Sequence, residues 1–215
     1  HLNPLQEAVQ PEGETTYRGM LEKIREITEA LDVPVIVKET GAGIASEEAV
    51  MLESAGVSCI DVAGAGGTSW AAVEYHRAKL CGDRVAQMLG EELWDWGIPT
   101  AVSLVEVVKS VKIPVIASGG LRSGKDIAKA IALGASLAGF ASPILSPALR
   151  GSNETKEAIA LLINQLKNVM FLVGADSIER LKNVPLIITG RTAEWLMARG
   201  FDPYSYAKRR VSDEY

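Results

Sequence analysis

Apolar positions along this chain follow two periods. Continuous β-branched runs stand at Val33–Lys38 (VPVIVK), Ser58–Ala63 (SCIDVA), Ile113–Ser118 (IPVIAS) and Leu137–Ala141 (LAGFA). Short runs without polar alternation are what parallel strands buried on both faces look like. Between them the spacing turns helical. Tyr17–Leu31 puts Met20, Leu21, Ile24, Ile27 and Leu31 on one face. Glu47–Ser54 follows Ser46, which reads as its N-cap, and stops at Gly56. Thr100–Val111 is amphipathic, and Ser123 or Gly124 opens a helix that runs to Leu133 and ends at Gly134. The βαβα order predicts an α/β fold with a parallel sheet.

Two regions depart from this rhythm. Trp70–Pro99 reads as a charged, partly helical insertion carrying Trp70, Trp94 and Trp96, placed at an upper face or an oligomer contact. Beyond Leu149, helices are expected at Glu154–Leu172, near Ser177–Leu181 and at Thr192–Arg199, and residues 204–215 read as a frayed tail. Four strands are half of what a closed (β/α)8 barrel needs, and such barrels typically run to about 250 residues. The chain therefore reads as one domain, 1–215, forming roughly the second half of a TIM barrel. His1 in place of Met adds to the expectation that an N-terminal part is missing.

Composition narrows the function classes. A net charge of −5 argues against nucleic acid as the main partner. No stretch of 18 apolar residues occurs, so no membrane span is expected. There are only two cysteines, and Cys59 falls in an apolar strand, so packing and a reducing, cytoplasmic location are expected. No CxxC, HExxH or Ser/His/Asp set appears, and His76 reads as a solvated helix residue.

The chemistry gathers where strands end. SGGLRSGKD at Ser118–Asp126 places Gly119 and Gly120 between a strand and a helix, where backbone NH groups and the helix N-terminus suit a phosphate. Arg122 can add a charge-assisted bond. DVAGAGGTSW at Asp61–Trp70 ends another strand in glycines, with Thr68 and Ser69 as hydroxyl donors and Asp61 facing a ligand or holding a loop. Lys38 closes a buried strand and needs polar company: a ligand, or a salt bridge to Glu39 or Asp61. HLNPLQEAVQPEGE carries His1, Asn3, Gln6, Glu7 and Gln10, with Pro4 and Pro11 against a long helix. Its Glu beside a Gln suits one Mg²⁺ carboxylate next to one substrate amide.

Taken together, HLNPLQEAVQPEG, VIVKETGAG, DVAGAGGTSWA, WGIPTA, SGGLRSGKDIAKAIALGA, MFLVGA and PLIITGRTAEWLMARG resemble, in order, the type 2 (FMN-dependent) isopentenyl-diphosphate isomerases, to about residue 202. The resemblance implies a (β/α)8 barrel, FMN, Mg²⁺ and NAD(P)H as reductant. It implies interconversion of isopentenyl and dimethylallyl diphosphate in isoprenoid biosynthesis, with reduced FMN as acid and base. It assigns Lys38, Thr68, Gly120, Leu121, Arg122, Ala141 and Ser142 to FMN, Gln6, His1 and Asn3 to substrate, and Glu7 to the metal. A homo-oligomer, tetramer or octamer, is implied too. Ala63 stands where the family often has Ser, which removes one hydroxyl near the flavin. Without the first half of the barrel the chain alone is expected to bind FMN weakly and to be inactive. The alternative is an FMN barrel oxidoreductase of the 2-hydroxy-acid oxidase or dihydroorotate dehydrogenase type. The hydroxy-acid oxidases place a His after a late strand, where this chain reads ASGG.

Overall fold

In the computed structural model, which describes residues 1–209, the elements run as follows. Helix α1 (Pro4–Val9) and helix α2 (Met20–Ala30) precede strand β1 (Ile36–Lys38); then come α3 (Ser46–Ser54), β2 (Cys59–Asp61), α4 (Trp70–Cys81), α5 (Arg84–Glu92) and α6 (Thr100–Ser110). Strand β3 (Val115–Ala117), α7 (Gly124–Leu133), β4 (Leu137–Ala138), α8 (Ser142–Arg150), α9 (Ser152–Leu172), α10 (Ile178–Asn183), α11 (Gly190–Ala198) and α12 (Tyr204–Ala207) complete the order. The four strands form one parallel sheet in sequence order. Lys38 registers with Asp61, Asp61 with Ile116, and Ala117 with Ala138. All four strands therefore end on one level, and every loop that follows a strand opens on the same side. This is the arrangement of a partial (β/α)8 barrel.

Burial explains why the apolar runs became strands. Val37, Ile60, Val115 and Ala117 share a core with Val102, Leu104, Val105 and Val107 of α6 and with Ala128 and Ile131 of α7. At the two outer edges, Ile36 and Leu137 stay more than half exposed. The 70–99 insertion is helical over most of its length, with Ser69 and Asp83 capping α4 and α5.

Two expectations are corrected, the cap at Ser46 and the frayed tail, and two further helices are placed. Ser46 is the first residue of α3, not its cap: Ala45 holds the cap position, and its NH donates to Glu48 at 2.9 Å. Pro4 begins α1, where the first helical turn needs no NH, and the helix is only six residues long, as expected of a segment between Pro4 and Pro11. Helix α8 fills a stretch to which the sequence reading assigns no element; Pro143 falls in its first turn, where proline is tolerated, and Pro147 lies inside it. The frayed tail does not hold for 204–209. Tyr206 is 1% exposed, its hydroxyl donates to Leu133 O at 3.3 Å, and Arg209 donates to Ala132 O and stacks on the Tyr206 ring. These donors satisfy carbonyls at the end of α7 that the helix itself leaves open. Residues 210–215 lie outside the described residues.

Helix α11 is tied to the barrel by charge. The guanidinium of Arg199, just past its end, bonds Glu106 on α6 and Glu47 on α3. Arg199 holds the Glu47 carboxyl down to about 2, with the Ser46 hydroxyl assisting. A depressed carboxylate stabilises the fold above its unfolded value near 4.5 and loses that contribution as pH falls through about 2. Thermal melts from pH 5 to pH 2 are expected to fall less steeply for Glu47→Gln than for the parent chain; equal slopes would remove Glu47 from the pH response.

Candidate functional site

The aligned strand ends build one hollow. Asp61, at the end of β2, is buried, and its Oδ1 accepts from Ser118 Oγ at 2.6 Å and from Ala63 N at 3.2 Å. It ties the loop after β2 to the loop after β3. Ala63 is bent to φ +35, a left-handed conformation that costs a residue bearing a Cβ roughly 1–2 kcal/mol. Next, the two glycine turns cross backbone on backbone. A Cβ on Gly119 would lie 2.1 Å from Gly64 O, and one on Gly67 would lie 2.9 Å from Gly120 N. Glycine is thus required for this crossing as well as for any ligand. Thr100, at the start of α6, donates its hydroxyl to Gly119 O at 2.6 Å and locks the crossing from behind. Arg122 clamps it in front, donating to Gly120 O at 3.1 Å and to Gly66 O at 3.3 Å.

The start of α7 is largely self-capped. Arg122 N donates to Asp126, Gly124 N to Gln165, and Asp126 N to the Ser123 hydroxyl. Burial raises the Asp126 pKa, but the Arg122 NH and the Ser123 hydroxyl outweigh it and hold the carboxyl low. The turn amides of Gly119, Gly120 and Leu121 have no acceptor among the described residues. They, rather than the helix terminus, are the donors left for an anion.

The hollow measures about 530 Å³, within the usual range for small-ligand sites of about 300–1,000 Å³. Lys38, Thr68, Gly120, Leu121, Arg122, Ala141 and Ser142 all line it. Sequence reasoning missed Thr40, Gly41, Ser118, Gly139 and Phe140, which join them. The register of the strands, which places residues 118 and 139 just beyond one shared level, is the signal that could have found the last three. Lys38 forms neither expected salt bridge: its Nζ donates to the main-chain oxygen of Glu39 at 2.7 Å.

The remaining candidates lie apart, on the N-terminal segment. Leu2 N donates to Lys38 O at 2.7 Å, which docks that segment at the end of β1. Asn3 donates to Gln6 Oε1 and to Glu7 Oε1, and Gln6 donates to Gln10. The Glu7 carboxyl is held below its ordinary range, first by the NH of Glu14, then by Asn3 and Gln10 against the opposing effect of burial. His1, Asn3, Gln6 and Glu7 do not line the glycine-walled hollow. No group of three or more His, Cys, Asp and Glu side chains suited to a metal occurs among the described residues. His76 is exposed on α4, against Tyr75 and Trp94. No helix among the described residues is long and apolar enough to cross a membrane.

Comparison with known proteins fits this geometry. The profile of the FMN-dependent dehydrogenase family matches residues 6–187. An isopentenyl-diphosphate delta-isomerase of Methanothermobacter thermautotrophicus is 59% identical over 209 residues, covering 97% of this chain and 58% of that protein. One from Pyrococcus furiosus is 53% identical, covering 98% and 53%. The chain thus spans a little over half the length of the curated relatives it matches. Among solved structures, a mandelate oxidase bound to (S)-2-phenylpropionate superimposes with TM-score 0.56 at 26% identity, over 75% of this chain and 41% of that one. A lactate oxidase of Pediococcus acidilactici gives 0.59 at 22% identity, over 84% and 43%, and speaks for the fold alone.

Proposed function

We propose an activity for a chain that belongs to the FMN-dependent dehydrogenase family: it is the flavin-holding portion of an isomerase that interconverts isopentenyl and dimethylallyl diphosphate. The observation that carries this reading is the single hollow. Every residue that the isomerase resemblance assigns to FMN lines it, in a chain 59% identical to a protein named for that reaction.

FMN suits the residues present. The free amides of Gly119, Gly120 and Leu121 suit its phosphate, with Arg122 as the adjacent cation. Lys38 and Thr68 stand on the facing wall for the ring system, where an ammonium favours negative charge on the flavin. When bound, reduced FMN supplies a proton donor and acceptor; the allylic shift adds one proton and removes another, so no net oxidation occurs. The chain's own part is to hold and orient. Gln6 and Asn3, joined by a hydrogen bond of 3.1 Å, form an amide pair for the substrate, with His1 beside them. Glu7 would offer one carboxylate to a Mg²⁺ ion, which would help to hold the diphosphate. NAD(P)H as the reductant, a homo-oligomeric state and a cytoplasmic location belong to the same reading.

The mandelate oxidase neighbour suggests a second reading, oxidation of a 2-hydroxy acid. That chemistry calls for a general base at the flavin, and no histidine lines the hollow. The experiment separates the two. The chain is assayed alone, and after mixing with the N-terminal portion of the Methanothermobacter relative, with FMN, Mg²⁺, NADPH and isopentenyl diphosphate, followed by proton NMR. Double-bond migration in the mixture is expected, with Glu7→Gln weakening its Mg²⁺ dependence by roughly tenfold. Flavin binding without migration, or flavin reduction driven by a 2-hydroxy acid, would overturn the isomerase reading.

A further inference from the structure

The loop after β1 is a wall between two hollows. Lys38, Thr40 and Gly41 face the glycine-walled one, while Glu39 and residues 42–45 face an apolar cavity of about 820 Å³. Glu39 is 3% exposed, yet it has no salt-bridge partner among the described residues. Its Oε2 instead accepts from the backbone NH groups of Thr40, Gly41 and Ala42 at once. Burial pushes the carboxyl pKa up, and those amides pull it back. Burying a carboxylate is costly unless it is fully hydrogen-bonded, and this one is devoted to ordering a single turn. Gly41 at φ +148 and Gly43 at φ +79 let the chain curl around it.

What the turn presents to the flavin hollow depends on that curl. Lys38 Nζ is held by the carbonyl of Glu39 itself. The carbonyl of Thr40 accepts from Trp70 Nε1 at 2.9 Å, just beyond the Thr68 loop. Gly41 runs so close to Thr68 that a Cβ there would lie 2.7 Å from Thr68 O. Lys38 and Thr68, on different strands' loops, are thereby set against each other through the residues that Glu39 gathers.

We infer that Glu39 is a positioning residue of the flavin site: its carboxylate fixes the 39–42 turn so that the Lys38 ammonium and Thr68 share one wall. The inference rests on the FMN reading above, but Glu39 itself lines the other cavity.

The test uses the whole chain and the substitutions Glu39→Gln and Glu48→Gln. Glu48 is the control, since it lies in the first turn of α3, accepts from the NH of Ala45 at the end of the same loop, and bonds neither Lys38 nor Thr68. In the flavin-free chain, Glu39→Gln is expected to shift the NMR resonances of the Thr40, Gly41 and Ala42 amides and also those of the Lys38 side chain and Thr68. Its Kd for FMN, read by quenching of flavin fluorescence, is expected to rise roughly tenfold. Glu48→Gln should lower Tm with those resonances and the Kd unchanged. The inference is overturned if Glu39→Gln lowers Tm while Lys38 and Thr68 stay in place and FMN affinity holds. If the parent chain binds no FMN even when mixed with the N-terminal portion of the Methanothermobacter relative, the flavin reading fails, and the flavin-free resonances still decide the role of Glu39. If Glu39→Gln does not fold, Glu39→Asp decides by the same resonances, because it keeps the charge but withdraws the carboxylate by one methylene.

Discussion

Replacing Gly120 by Ala is expected to abolish FMN binding and to lower stability by about 2–5 kcal/mol. Two costs add. Gly120 sits at φ +81, where a residue with a Cβ loses roughly 1–2 kcal/mol. The new methyl would also stand 2.1 Å from Gly66 O, 2.3 Å from Gly66 C and 2.9 Å from Gly67 N. These are backbone atoms, so no side chain can swing aside. The two loops must part, and overpacking of this kind costs about 1–3 kcal/mol. Parting them also breaks the Arg122 clamp from Gly120 O to Gly66 O and moves the amides of 119–121 away from Thr68. Gly82→Ala isolates the conformational cost, because Gly82 has φ +74 and a methyl placed there would meet nothing within 4 Å. Urea denaturation and flavin titration of the two variants should differ sharply. If Gly120→Ala behaves like Gly82→Ala, the crossing of the glycine turns does not control the site.

Much of this site was legible because glycine, strand end and helix start follow one another within a few residues. SGGLRSG needs no tertiary knowledge to read as a turn with free amides, and Ser123 caps α7 as its letters suggest. The sheet was legible for a similar reason: each β-branched run is too short for a helix and too apolar for a surface. Relations between loops were not legible. That Thr100 holds Gly119 O, or that Gly64 lies under Gly119, depends on the parallel register, which a linear reading cannot place to within one residue. Glu39 was hidden for the opposite reason. A Lys-Glu pair suggests a salt bridge, and only the fold shows that the carboxylate turns to its own loop's amides. Helix α12 was unreadable because its four residues carry no helical signal, and the buried Tyr206 ring holds them in place.

Removing the Arg199 side chain is expected to lower the urea midpoint without changing the affinity of the folded chain for FMN. Glu106 is fully buried on α6, and Arg199 supplies it with a fork: Nε to Oε1 at 3.2 Å and a terminal nitrogen to Oε2 at 3.1 Å. The NH of Ser46 adds one bond at 3.2 Å. Glu106 and Glu47 push the guanidinium pKa further up, so it stays charged at any working pH. Arg199→Ala leaves a buried carboxylate with one donor, and orphaning such a charge typically costs about 3–5 kcal/mol. The expected loss is smaller because the Arg199 side chain is 37% exposed, so water can replace part of what it gives. Arg199→Lys should recover little, since one ammonium cannot span both oxygens. Arg199→Ala combined with Glu106→Leu should recover more, because the charge is then gone. Urea midpoints for the three variants test this order, and equal losses in all three would exclude an orphaned charge as the cause. The flavin titration tests the second half of the expectation. Glu106 and Thr100 lie on the same helix, and Thr100 locks Gly119. If Arg199→Ala weakens FMN binding after all, α6 transmits strain from the far side of the barrel to the glycine crossing, and the site is less self-contained than its own hydrogen bonds imply.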